Sequence, residues 1–183
     1  MPSATIHMCI AKKISKKKII DEFPFLMGNI VPDSWRNNNE ENREKTHFSN
    51  RNDFNSENYI EFYNKYKNNI NNPFVLGYLT HLMTDYYYRK HANTYFMTTI
   101  NGENTILKLD GTPFLPANEH FIFFRNNKFY LANELTNYYN LEKIPLEKIK
   151  DINNPITEVN LESLIKSADY LNNNELINKV IKN

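Results

Sequence analysis

Cysteine is almost absent from this chain: Cys9 is the only one in 183 residues. A lone thiol excludes an internal disulfide framework. Long apolar runs are missing as well. No stretch of about 20 apolar residues exists, so no membrane-spanning helix is expected. The apolar start, Ile6 to Ile10, is short, broken by His7 and followed by lysines, unlike a signal peptide, and a cytoplasmic protein is the expectation. Charge of one sign is lacking too. The 22 basic and 21 acidic residues leave a net charge of +1, without the clustered basic excess of a nucleic-acid-binding protein. The one basic cluster, Lys12-Lys13 with Lys16-Lys17-Lys18, reads as the solvated face of a first helix, with membrane-surface contact as the alternative.

What is present argues for a folded protein. Apolar residues make up 40% and aromatics 14%, and the length suits a single domain over 1–183. Runs such as Asn37-Asn38-Asn39 and Asn172-Asn173-Asn174 read as a bias of composition.

The apolar spacing predicts helices. Ser3 caps the first, which runs to about Lys18 with Ile6, Cys9, Ile10 and Ile14 on one face. Ile19 to Ile30 gives a second, ending near Val31-Pro32-Asp33 because proline disfavours helix at the residue before it. Residues 34–55 are polar and read as a long loop. A third helix is expected over Ser56 to Asn69. The fourth, about 72–92, has Asn72 as cap and Pro73 at its first position, and is apolar nearly all round, as a central buried helix would be. A small hairpin is expected near 104–110, a helix from His120 to about Tyr139, and two short helices at Asn160 to Leu171 and Glu175 to Ile181. The expected fold is an all-α single-domain bundle around the fourth helix.

Five histidines are present: His7, His47, His81, His91 and His120. Four lie in the first half. His81 and Asp85 are four apart and share one helix face, among Val75, Leu76, Tyr78, Leu79, Leu82, Met83 and Tyr86. A carboxylate in such company is costly without a partner. That partner is either a metal ion or the histidine itself. His91 lies six residues beyond Asp85 on a neighbouring face, placed for a second ion or for the surface. Asp33 follows a helix end, as a ligand or a cap. His47 sits in a polar stretch and His7 beside the apolar face of the first helix. A histidine-rich set with carboxylates suits zinc, which takes imidazole and carboxylate ligands. One cysteine suits a site without sulfur.

These residues, in this order, resemble the zinc-dependent phospholipases C and the related fungal single-strand nucleases. Phe74-Val75-Leu76-Gly77, then His81, Asp85 and His91-Ala92-Asn93, is similar to the family's most diagnostic helix. Thr46-His47-Phe48 looks like its Ser-His-Phe segment. The resemblance covers roughly residues 1–95. It implies an all-α fold holding one to three zinc ions, two as the working expectation. Asp33, His47, His81 and Asp85 would hold one ion, Asp85 would bridge to a second at His7, and His91 would serve a third. The family completes that third ion with a downstream His and a Glu four residues later. Here the later histidine is His120, and Phe124 stands four beyond it.

The function expected from these residues is metal-dependent hydrolysis of a phosphoester, small or lipid-like, by a zinc-bound water. Asp33 is the candidate catalytic carboxylate. A single-strand nuclease and a non-catalytic protein with a residual structural metal are the alternatives. Shared or adjacent zinc sites require His7, Asp33, His47, His81 and Asp85 to converge within about 4–6 Å.

Overall fold

A computed structural model describes residues 3–18, 20–33, 40–49, 58–95, 98–100, 102–105, 137–139 and 141–173. The first helix, α1 (Ala4–Lys17), starts at Ser3, whose Oγ accepts a hydrogen bond from the Ile6 N–H at 3.4 Å. Such a cap satisfies one of the orphan donors of the first turn. Lys13, Lys16, Lys17 and Lys18 are exposed, and Lys12 reaches Glu22 at 3.9 Å.

Helix α2 spans Glu22–Ile30 and tightens into a narrower turn over residues 31–33. Helix α3 spans Glu40–His47 and corrects the expected loop over 34–55. Its sequence is entirely polar, so no apolar stripe announces it. Its Glu, Arg and Lys residues are good helix formers, and its last turn buries Thr46 and His47. The chain leaves α3 through Phe48 at φ 51°, while the Ser49 N–H closes back on Glu44 C=O at 3.1 Å. This is a left-handed helix stop usually made by glycine. Residues 34–39 and 50–57 lie outside the described residues.

Helix α4 (Asn58–Tyr66) continues as a tight turn over Lys67–Asn69. Helix α5 (Pro73–Tyr95) is the central one. Asn72 Oδ1 caps it by accepting from the Phe74 N–H at 2.9 Å. Phe74, Val75, Tyr78, Leu79 and Leu82 are all buried in one core with Met8, Met27, Ile30 and Phe62. The fold is thus an all-α bundle, as expected.

A small hairpin pairs β1 (Thr98–Ile100) with antiparallel β2 (Glu103–Thr105), Thr99 opposite Asn104. It lies earlier than the expected 104–110 because Gly102, at φ 83°, provides the turn. Residues 106–110 are outside the described set, as are most of the helix expected from His120 and the tail from Glu175. Residues 137–139 are helical. Helix α6 (Leu161–Asn173) follows a turn over Leu146–Asp151. Leu141, Ile144, Ile149, Ile156, Val159, Leu164, Ala168 and Leu171 join the same core. Asn172 bonds both main-chain groups of Ile144 at 2.8 Å, so this asparagine is structural. No helix among the described residues is long and apolar enough to cross a membrane.

The crossing of α2 and α5 positions everything that follows. A Cβ added at Gly28 would lie 2.0 Å from Phe74 O, and one at Gly77 would lie 2.1 Å from Phe25 O. Two backbones therefore touch, a contact open only to glycine. Beside it, Asn29 Nδ2 donates to Gly77 O at 3.2 Å.

Gly77→Ala should accordingly lower the free energy of unfolding by about 2–4 kcal/mol, because main-chain atoms must move. Gly102→Ala, in open space, should cost only the backbone strain of about 1–2 kcal/mol. Urea titration of both variants checks this. Equal losses at the two positions would contradict the close approach.

Candidate metal centre

Four elements deliver five polar side chains to one buried point. Helix α1 brings His7, the turn after α2 brings Asp33, the end of α3 brings His47, and α5 brings His81 and Asp85. Their exposures are 0% for His7 and His81, 2% for His47 and Asp85, and 8% for Asp33. The donor atoms of His47, His81 and Asp85 lie within 4.8 Å of one another, as do those of His7, Asp33 and His81.

The histidine tautomers follow from their hydrogen bonds. His81 Nδ1 lies 2.7 Å from the Asn29 carbonyl oxygen. A carbonyl only accepts, so Nδ1 carries the proton. His47 Nδ1 lies 3.2 Å from the Arg43 carbonyl and 3.1 Å from Thr46 Oγ1, which places its proton on Nδ1 likewise. Each neutral ring then presents a bare Nε2 lone pair. Those two nitrogens face each other at 3.3 Å.

Two lone pairs at that distance repel unless a cation lies between them. A proton does not serve at neutral pH. Burial, then the neighbouring His7, drives the His81 pKa down to about 3, against the opposing pull of Asp85 and Asp33. Burial lowers that of His47 too; Asp33 and Asp85 oppose the shift, and Arg43 and His7 add to it.

A metal ion fits the same geometry. Two imidazole nitrogens bonded at ~2.0–2.1 Å to one tetrahedral zinc stand about 3.3 Å apart. Asp85 Oδ2 is 3.7 Å from His47 Nε2 and 3.9 Å from His81 Nε2, and Asp33 Oδ1 is 3.7 Å from His47 Nε2.

The carboxylate of Asp85 points the same way. Both its oxygens are buried without a hydrogen-bond partner, as are both ring nitrogens of His7. His7 Nε2 approaches Asp85 Oδ1 to 3.3 Å without hydrogen-bond alignment, and its ring stacks on His81 with centroids 3.9 Å apart. Burial pushes the Asp85 carboxyl up, but the approach of the His7 N–H, then the charges of His81, His7 and His47, outweigh this and hold it below the ordinary carboxylate range. An ionised, buried carboxylate whose one contact, with His7, is poorly aligned costs several kcal/mol unless a cation compensates it. The cluster can therefore hold a metal ion.

Cys9 is buried two residues beyond His7, and burial pushes its thiol up to about 12. It belongs to neither group of converging donors.

The expected convergence of His7, Asp33, His47, His81 and Asp85 is present in the structure. His91 lies in the final turns of α5, with its side chain outside the described residues. His120 is outside them entirely. Sequence reasoning missed Asn29, Arg43, Thr46 and Tyr78, whose bonds involve main-chain carbonyls that carry no sequence signal. The Arg43 charge also acts on His47. Compared with protein-family models, curated proteins and solved structures, the chain matches none. The family resemblance therefore rests on the motif residues themselves.

The cluster makes metal-free protein acid-sensitive. His81 is neutral when folded down to about pH 3 but takes a proton near pH 6.5 when unfolded. The unfolded state binds more protons in that window, so stability falls as pH drops through it. Asp85, also depressed when folded, acts in the same direction at its lower end. Denaturant titrations in chelator across this range should show declining stability below about pH 6.5. A flat profile would contradict a buried neutral His81.

Proposed function

We propose that this chain is a zinc-dependent hydrolase of phosphoric esters. Asp33, His47, His81 and Asp85 would hold one ion, and His7 with Asp85 would hold a second. The observation that carries this reading is the facing pair of bare Nε2 atoms, 3.3 Å apart, beside an unpartnered buried carboxylate. The nitrogen-and-oxygen donor set favours zinc over softer or all-oxygen metals.

When bound, the ions supply Lewis acidity and activate water for attack on phosphorus. The protein's own residues do the rest. His81, with its Nδ1 proton on the Asn29 carbonyl, and His47, with its Nδ1 proton shared by the Arg43 carbonyl and the Thr46 hydroxyl, present Nε2 and cannot rotate away. Asp85 spans from His7 to the two other histidines. Asp33, the most exposed of the five, would orient the attacking water and accept its proton, which then passes to the alkoxide that leaves as the ester P–O bond breaks. The substrate class is a small or lipid-like phosphoester, and the near-neutral net charge of +1 disfavours extended nucleic acid.

Burial of all five donors favours a second reading, in which the ion is structural and closed from solvent. Turnover separates the two.

Purified protein reconstituted with zinc should hold at least about one ion per chain, and His81→Ala should lose it. Asp33→Asn should keep most of the zinc while phosphodiester hydrolysis falls by about 10²–10⁴-fold. Zinc below about half an ion per chain would overturn the reading. Full zinc with no hydrolysis of a soluble choline phospholipid, a chromogenic phosphodiester or single-stranded DNA would establish the structural alternative.

A further inference from the structure

The ligands come from four separate elements, so something must fix their spacing before an ion arrives. Thr46 touches three of those elements at once. Its Oγ1 donates to the Pro32 carbonyl at 2.9 Å, tying α3 to the turn that carries Asp33. The same oxygen lies 3.1 Å from His47 Nδ1, whose proton it can accept. Its main-chain carbonyl accepts from the Tyr78 hydroxyl, tying α3 to the helix that carries His81 and Asp85. Thr46 and Tyr78 are both buried.

The last turn of helix α3 is what enters the core. Among its residues whose burial is described, only Thr46 and His47 are buried. Immediately beyond them, Phe48 takes a left-handed conformation. For a bulky residue that conformation is strained, and it persists only where surroundings enforce it. They do so here: Phe48 sits edge-on to Phe62 at 5.3 Å and to Tyr78 at 6.4 Å. The strained turn lets Phe48 enter the aromatic cluster while His47 points at the ion site.

We propose that Thr46 and Tyr78 are positioning residues that set the distance of His47 and Asp33 from the fixed His81/Asp85 pair, and so tune metal affinity without touching the ion. This rests on the metal-site reading above. Partners one step removed from a metal typically contribute 10–100-fold to its affinity. The particular prediction is that a hydroxyl, rather than bulk, is required at position 46.

The test uses the full chain with cobalt(II) as a spectroscopic stand-in for zinc, and zinc affinity by competition with a chelator. Wild type should give an intense visible cobalt band of low-coordinate geometry. Thr46→Val, nearly isosteric, should weaken zinc by about 10–100-fold and change the band's intensity. Thr46→Ser, which restores the hydroxyl, should recover both. Tyr78→Phe should weaken zinc in the same direction, and it decides the matter if Thr46→Val fails to fold. Unchanged affinity and band in Thr46→Val, or in Tyr78→Phe where the first cannot be measured, would overturn the proposal. So would equal losses in Thr46→Val and Thr46→Ser. If wild type binds neither metal, the metal-site reading falls and the positioning role falls with it. If wild type binds and the variants do not differ, the positioning role falls alone.

Discussion

The close approach of α2 and α5, at Gly28 on one and Gly77 on the other, sets the rest of the structure. With no Cβ at either position, α2 and α5 approach until main chain meets main chain. That approach brings the Asn29 carbonyl within 2.7 Å of His81 Nδ1 and its side chain onto Gly77. The orientation of His81 is therefore a direct result of two missing side chains. It also fixes the turn after α2, and with it Asp33, over the face of α5 that carries His81 and Asp85. The core around Tyr78, Phe25 and Phe74 supplies the apolar burial that makes this crossing stable. The same burial removes water from the polar cluster beside it.

With that water removed, the cluster suits a metal ion better than a hydrogen-bonded network. In a satisfied network each buried donor meets an acceptor. Here acceptors meet acceptors: two imidazole lone pairs face each other, and a carboxylate whose one contact, with His7, is poorly aligned lies beside them. Such an arrangement is unstable alone and stable around a cation, whose binding energy then becomes folding energy. A low local dielectric strengthens both sides of that balance. The protein commits its Nδ1 protons elsewhere, so the rings have one available role.

Much of this was legible in the sequence. The four-residue spacing of His81 and Asp85 in an apolar helix placed both on one buried face, and Asn72-Pro73 marked where that helix begins. The family resemblance added Asp33 and His47 to the pair, and both lie beside it. Helix α3 was not legible, because periodicity reports only helices that bury a stripe, and this one buries its final turn. Thr46, Tyr78 and Asn29 were hidden for a related reason. Their work is done through main-chain carbonyls, which every residue has. The hairpin around Gly102 was displaced in the reading because short strands carry too few residues for a period to register. The tautomers, and hence the direction of the lone pairs, required the fold itself.

The central claim is that an ion sits between His47 and His81 in a shell of nitrogen and oxygen. X-ray absorption at the zinc edge of the reconstituted protein tests it most directly. The expected spectrum has a first shell at about 2.0–2.1 Å with the outer-shell scattering of at least two imidazoles. A sulfur shell near 2.3 Å, or a shell without imidazole scattering, would contradict it.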